Sequence, residues 1–220
     1  MWSKKTYHCD EALVPIFKKY LSQNNGFYVD VGANDGRAAS NSFHLEKNQN
    51  WSGVLIEPVL HNFFRARQLR SLEKNTFFNC ACVGSSFNDE TVELIYSGLM
   101  TVSIHGDRLT SPEEWARSGN KFLSRGECVQ RIWSEARTLE SLLLEANAPK
   151  NIDLLSIDVE GAEYEVLQGV DFQHRNFSFI LIETTLGSKS CDFLSENNFI
   201  HIETIAQNLL FASPRVLSVK

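Results

Sequence analysis

Apolar runs alternate with stretches of helical spacing along most of the chain. The runs FYVDV, SGVLI, IDLLSI and FSFILIE are apolar almost throughout and end at glycine, proline or acidic residues. Such runs are typical of strands that are covered on both faces. Helical patterns lie between and after them, at residues 38–48, 61–72, 139–146, 163–169 and 191–198. The alternation predicts an α/β protein whose mostly parallel sheet lies between two layers of helices.

The length sets the domain organisation. A chain of 220 residues, of which 43% are hydrophobic, is long enough for one core, so we predict a single domain over residues 1–220. It begins with a helical extension over residues 1–25, contains a further strand in TFFNCACVG, and ends in a pair of strands, FIHIETIA and NLLFAS.

One segment departs from the alternation. Residues 84–136 lack the periodicity of the flanking units and are predicted to be an irregular insertion of short strands and loop. Such a long irregular segment in a compact domain is typical of a lid or a substrate-shaping element. The alternative is a partner surface, in which Trp115, Phe122 and Trp133 serve as contacts.

Charge and cysteine content exclude several classes of protein. The net charge is −6, and the short basic cluster Arg65, Arg67 and Arg70 falls in a predicted helix, where we expect a solvated face rather than a nucleic-acid surface. No run approaches the ~18 apolar residues of a membrane span, and the N-terminus lacks the apolar core of a signal peptide. Five scattered cysteines without a CxxC pair argue against a disulfide framework or a zinc site. We therefore expect a cytoplasmic protein.

Acidic residues lie at or near the carboxyl end of four predicted strands. They are Asp30, Glu57, Asp158 and Glu183. The carboxyl ends of parallel strands meet at one edge of a sheet, where ligands bind, so we expect these side chains to lie close together. Each carboxylate could instead cap the helix or turn that follows it.

The first glycine turn favours one nucleotide cofactor over another. Residues 32–36 read GANDG rather than the G-x-G-x-x-G of dinucleotide-binding folds, and Asp30 and Asp35 would repel a pyrophosphate. S-adenosylmethionine has no phosphate, and its ammonium and sulfonium charges suit acidic surroundings. Glu57 is placed to accept the ribose hydroxyls, and Asp30 to hold the methionine end. A nicotinamide-dependent oxidoreductase is the less favoured alternative.

Several of these segments resemble one enzyme family. VDVGANDG, SNSFHLEKNQNWSGVLIEP, TLESLL and IDLLSIDVEGAEYEVLQGVDF are similar to the FkbM-type S-adenosylmethionine-dependent methyltransferases, and the resemblance covers residues 27–211. It implies a Rossmann-like three-layer sandwich with a mostly parallel seven-stranded sheet and an antiparallel last strand. It also implies methyl transfer, usually to a hydroxyl, on a sugar, glycan or natural product.

The resemblance also implies roles for individual residues. Asp158 and Glu160 would face the methyl group of the cofactor. The predicted cofactor-binding residues are Asp30, Gly32, Ala33, Asn34, Gly36, Glu57, Pro58, Cys80, Ala81 and Asp158. The predicted substrate is a small molecule or a glycan. The alternative from another class is a catalytically silent member of the fold that binds a partner through residues 84–136.

Methyl transfer to a neutral hydroxyl requires removal of a proton. The predicted catalytic residues are Asp158, Glu160 and Glu183, because a base must first lie within reach of the proton. For Glu163, His105 and His61, structural or surface roles explain the sequence at least as well. The three catalytic candidates could instead bind Mg²⁺ or Ca²⁺ through oxygen. The metal-free route is favoured, because Thr184 and Thr185 offer no further carboxylate or amide ligand.

Overall fold

The computed structural model describes residues 9–106 and 110–217. Within them, seven strands form the central sheet: β1 (Phe27–Val31), β2 (Ser52–Ile56), β3 (Asn75–Phe78), β8 (Asn151–Ile157), β9 (Asn176–Glu183), β10 (Ile200–Ile205) and β11 (Asn208–Ala212). Their order is β10-β11-β9-β8-β1-β2-β3. The pairs from β9 to β3 are parallel, whereas β11 is antiparallel to both β9 and β10. The mostly parallel sheet with its terminal antiparallel pair is therefore confirmed.

Helices cover both faces of this sheet. The helices of the described chain are α1 (Cys9–Tyr20), α2 (Phe43–Gln49), α3 (Leu60–Leu69), α4 (Pro112–Ser118), α5 (Leu139–Glu145), α6 (Glu163–Gln168), α7 (Lys189–Glu196) and α8 (Pro214–Leu217). Alternation along β1 separates two cores. Tyr28 packs in one core with Phe17 of α1. Val29 packs in the other with Leu142 of α5 and Val166 of α6.

Two predicted elements differ from the structure. The helix expected over residues 38–48 begins only at Phe43, because the Ser40 hydroxyl accepts hydrogen bonds from the backbone N–H groups of Ser42 and Phe43 and so holds the chain in a turn. The run TFFNCACVG is not one strand. It divides where Asn79 donates to the carbonyls of Glu57 and Pro58, and its two halves enter different sheets.

Residues 84–136 are more regular than expected. Four strands of the described residues form a second sheet: β4 (Ala81–Val83), β5 (Thr91–Tyr96), β6 (Val102–Ser103) and β7 (Gln130–Thr138), in the order β4-β7-β5-β6. Helix α4 begins at a capping box made by Ser111 and Glu114. Much of β7 is exposed, so it produces no apolar run in the sequence. This explains why the pattern alone indicates an irregular segment.

Candidate active site

A cavity of about 460 Å³ lies at the carboxyl edge of the central sheet. The four acids predicted to meet there all line it: Asp30 in β1, Glu57 after β2, Asp158 after β8 and Glu183 at the end of β9. Glu160 lines the same cavity. The structure thus brings together the acids that the strand pattern predicts, while their roles stay predictions.

The glycine turn after β1 lies directly against the end of β8. Gly32 has a positive φ of 86°, and a Cβ atom at this position would lie 1.8 Å from the Asp158 carbonyl oxygen. Only glycine permits this approach. The N–H groups of Gly32 and Ala33 both donate to the Ile56 carbonyl, each at 3.0 Å. The turn is therefore fixed between the ends of β2 and β8.

Of the predicted cofactor residues, Gly36 does not line the cavity. A Cβ atom on Gly36 would meet Ala66 and Arg70, and the Gly36 carbonyl accepts a hydrogen bond of 2.8 Å from Arg70. Its absence of a side chain therefore serves packing of the turn against α3. The other nine predicted residues line the cavity: Asp30, Gly32, Ala33, Asn34, Glu57, Pro58, Cys80, Ala81 and Asp158.

Glu57 is buried between the glycine turn and the start of α3. Its two carboxylate oxygens accept backbone hydrogen bonds from Asn34 and Val59, both at 2.8 Å. Burial raises the pKa of Glu57 to about 7, although these two N–H donors favour the charged form. Glu57 is thus held in one orientation beside the glycine turn. Its carboxylate has further lone pairs that can accept hydrogen bonds from a ligand.

Asp30 belongs to a buried polar network beneath the turn. The Ser42 hydroxyl donates to its carboxylate. Arg70 donates to Ser42 at 3.2 Å and to Glu46 at 2.5 Å. Burial raises the pKa of Asp30, and the Ser42 hydrogen bond and the Arg70 charge partly oppose this shift. Arg70, expected on a solvated helix face, has a fully buried side chain, because it caps the end of α3 and donates to Glu46 and Ser42.

Asp158 and Glu183 form a hydrogen-bonded acid pair. Burial and the nearby charges of Glu183 and Glu163 raise the pKa of Asp158 well above its usual value. Burial and the charge of Glu160 raise the pKa of Glu183 to about 7. The larger upward shift of the Asp158 pKa favours the protonated form of Asp158 beside Glu183. This pair places a proton acceptor that titrates near neutral pH on the cavity wall.

Glu163 has a structural role that its position on α6 only partly predicted. Its Oε1 atom accepts hydrogen bonds from the backbone N–H groups of Gly161 at 2.9 Å and Val159 at 3.3 Å. It therefore fixes the loop between β8 and α6. His61 does not line the cavity and packs edge-on against Tyr96, whereas His105 does line it and packs against Phe87.

Glu160 connects the second sheet to the acid pair. It has a positive φ of 57°, which is uncommon for a residue with a long side chain. The indole N–H of Trp115 in α4 donates to Glu160 Oε2 at 2.9 Å. Trp115, considered in the sequence only as a partner contact, lines the cavity as well. No local pattern in the sequence indicates this contact.

Part of the cavity wall is apolar. It includes Phe87, Val92, Leu94, Leu99, Met100 and Phe122 from the second sheet and its connections. Cys80 lines it too, and burial raises the pKa of its thiol to about 12, so this thiol is protonated.

The described part of the chain contains no helix with the length and apolar character needed to cross a membrane. Within the same residues, no three His, Cys, Asp or Glu side chains are arranged to hold a metal ion.

A mostly parallel sheet of this order, with a glycine turn after β1 and acids at its carboxyl edge, has the Rossmann-like fold that is also seen in methyltransferases. A family model described as "Methyltransferase FkbM domain" matches residues 30–209. The chain therefore belongs to the FkbM methyltransferase family, and the resemblance noted in the sequence is confirmed. No curated protein matches the chain.

Solved structures that are similar to the chain include two methyltransferases. Methyltransferase FkbM from Methylobacillus flagellatus KT is 13% identical, with a TM-score of 0.49, over 86% of this chain and 43% of that protein. The chain thus spans less than half of that protein's length. Precorrin-6y C5,15-methyltransferase from Geobacter metallireducens GS-15 is 12% identical, with a TM-score of 0.50, over 97% of this chain and 93% of that protein. At this identity the second likeness shows the fold alone.

Proposed function

We propose that the chain is an S-adenosylmethionine-dependent methyltransferase that methylates an oxygen of a small molecule or glycan. The observation that carries this proposal is the cavity edge, where the oriented carboxylate of Glu57 lies beside the glycine turn and the Asp158–Glu183 pair lies beyond it. A cavity of about 460 Å³ is of the size that cofactors and small ligands occupy. Its acidic edge suits a cofactor that is cationic and has no phosphate.

Some residues of the chain would bind the cofactor, and others would remove the proton from the acceptor hydroxyl. When bound, the cofactor supplies an electrophilic methyl group on a sulfonium. Glu57 would accept hydrogen bonds from the two ribose hydroxyls, and the backbone around Gly32 would allow close approach. Glu183 would accept the proton of the acceptor hydroxyl, since a base acts best with a pKa near the working pH. The second sheet would exclude water and align the acceptor.

The direct test is calorimetry on protein stripped of ligand. We expect S-adenosylhomocysteine to bind with measurable heat and NAD(H) to give none. Binding of NAD(H) alone would indicate the oxidoreductase alternative. Absence of binding by both ligands would indicate a silent member of the fold that uses residues 84–136 as a partner surface. Methylated product on a hydroxyl-bearing acceptor, rather than on nitrogen or carbon, then decides the acceptor atom.

A further inference from the structure

Three consecutive polar residues, Ser40, Asn41 and Ser42, connect the glycine turn to α2 and do not share one task. Both serines serve the network beneath the turn: Ser42 donates to Asp30, and Ser40 accepts from the backbone at the start of α2. Asn41 lies between them, lines the cavity, and donates from Nδ2 to the Ser156 hydroxyl at 3.1 Å. The amide of Asn41 is therefore oriented toward β8.

The other end of this amide has no partner. Asn41 is 3% exposed, and its Oδ1 atom makes no hydrogen bond to any residue that the structure describes. A buried acceptor left unsatisfied costs ~1–3 kcal/mol, so such atoms are rare and call for an explanation. Four other buried polar side-chain atoms of the described residues share this condition, but among them only that of Glu165, a partly exposed residue, belongs to the cavity lining.

The sheet order indicates which part of a cofactor Asn41 faces. Strand β1 lies between β2, which Glu57 closes, and β8, which carries Ser156. Cys80 and Ala81, the other predicted cofactor residues, follow β3 on the far side of β2. A nucleoside with its ribose at Glu57 and its base toward β3 therefore extends its remaining end over β1 toward β8, where Asn41 lies.

We propose that Asn41 Oδ1 accepts a hydrogen bond from the α-ammonium group of the cofactor's methionine end. This rests on the proposed function and adds a binding residue to it. Oδ1 can only accept, so it fits the ammonium and not the carboxylate of that end. Asp30, predicted from the sequence to hold the methionine end, already receives the Ser42 hydroxyl beneath the turn. Asp30 lines the same cavity and also supports the segment that carries Asn41, so Asn41 adds an uncharged acceptor to this end of the site.

Three ligands separate this contact from general binding. They are S-adenosylhomocysteine, its decarboxylated analogue, which keeps the ammonium, and its deaminated analogue, which keeps the carboxylate. Calorimetry is performed with the wild-type chain, Asn41→Leu and Asn41→Asp. Leucine matches the shape of asparagine without its acceptor, whereas aspartate keeps an acceptor oxygen.

We expect Asn41→Leu to weaken S-adenosylhomocysteine and the decarboxylated analogue at least about tenfold, the loss typical of a hydrogen bond to a charged group. The deaminated analogue should bind the wild-type chain and Asn41→Leu with equal affinity. Asn41→Asp should keep or strengthen binding of the two ammonium ligands. Equal weakening of all three ligands, or no weakening, would overturn the role of Asn41.

The proposed function fails separately, if the wild-type chain binds none of the three ligands. Should Asn41→Leu not fold, Asn41→Asp still decides the matter. Its added charge should raise the affinity ratio of the decarboxylated over the deaminated analogue. An unchanged ratio would overturn the proposal.

Discussion

Glu57 shows how one buried side chain joins structure and binding. Its carboxylate holds the glycine turn through Asn34 and the start of α3 through Val59. The same oxygens face the cavity in which we place the ribose. Because burial raises its pKa to about 7, the charge that a ribose diol requires is present only above neutral pH in the ligand-free protein.

We expect affinity for S-adenosylhomocysteine to fall as the pH decreases below about 7, because binding then requires Glu57 to lose a proton. Glu57→Gln should weaken binding at least about tenfold at about pH 8 and remove this pH dependence. Calorimetry at several pH values measures both effects. A glutamine variant that binds as the wild type does would show that Glu57 only holds the turn. Thermal unfolding of the variant checks that the turn is retained.

Glu183 leads to a prediction about turnover. If it removes the hydroxyl proton, kcat should rise with pH through one ionisation near 7, which belongs to the Asp158–Glu183 pair. Glu183→Gln should lower kcat by ~10²-fold or more and flatten this profile, with cofactor affinity unchanged. Glu160→Gln, which keeps an acceptor for Trp115, should instead shift this profile to lower pH, because the charge of Glu160 raises the pKa of Glu183. Turnover that is lost to chelator and restored by Mg²⁺ would instead favour the metal route.

The residues of the cavity edge were predictable to the extent that they depend on strand pattern. Glu57 and Asp158 follow apolar runs, and the meeting of strand ends places them at one cavity. The partners of Asp30 were not predictable, because Arg70 reaches the network only through the packing of α3. The unpartnered Oδ1 atom of Asn41 was not predictable either, because it depends on which residues form hydrogen bonds with Ser40 and Ser42.

At the scale of elements, a hydrogen bond to a carboxylate joins α4 to the loop that follows β8. Trp115 donates to Glu160, whose backbone is held in the left-handed region. Segment 84–136 supplies much of the apolar cavity wall. We therefore propose that this hydrogen bond closes the segment over the acceptor.

Trp115→Phe keeps an aromatic ring and removes the indole donor. We expect KM for the acceptor to rise about tenfold, because a hydrogen bond to a charged group is lost, while affinity for S-adenosylhomocysteine is unchanged. Amide hydrogen exchange of α4 should accelerate in the same variant. The control is Trp133→Phe in β7 of the second sheet, where the residue is 64% exposed. Equal effects of both substitutions would contradict a specific closing role.

Element prediction succeeded where a pattern was continuous. Strands β8 and β9 are mostly apolar and largely buried, and both lie where the runs predict them. It failed where the hydrogen bonds of a side chain end a strand, as those of Asn79 do between β3 and β4. Pairing of β5 with β7 joins residues far apart in sequence, and much of β7 is exposed, so local periodicity does not indicate this pairing.

At the scale of the whole molecule, four buried acids make the ligand-free protein less stable as the pH rises. Burial raises the pKa values of Glu57, Glu183, Asp158 and Asp30, so the folded chain binds more protons than the unfolded chain above about pH 4.5. The stabilisation from these groups is fully present below that pH. For the two glutamates it decreases as the pH rises to about 7 and is lost above it. Their ordinary pKa is 4.5, so Glu57 alone corresponds to on the order of 3 kcal/mol. His44, whose pKa burial lowers, acts in the opposite direction.

We expect the free energy of unfolding in urea, without ligand, to decrease between about pH 5 and about pH 7. Glu183→Gln should reduce this slope, because one of the titrating groups is removed while the glutamine oxygen can still accept from Asp158. The stabilisation gained from saturating S-adenosylhomocysteine should increase over the same range, since the ligand selects the ionised form of Glu57. A free energy of unfolding that increases from about pH 5 to about pH 7 would contradict the claim that the buried acids determine how stability depends on pH. A ligand effect independent of pH would separate Glu57 from cofactor binding, because the ligand would then have no preference between its two protonation states.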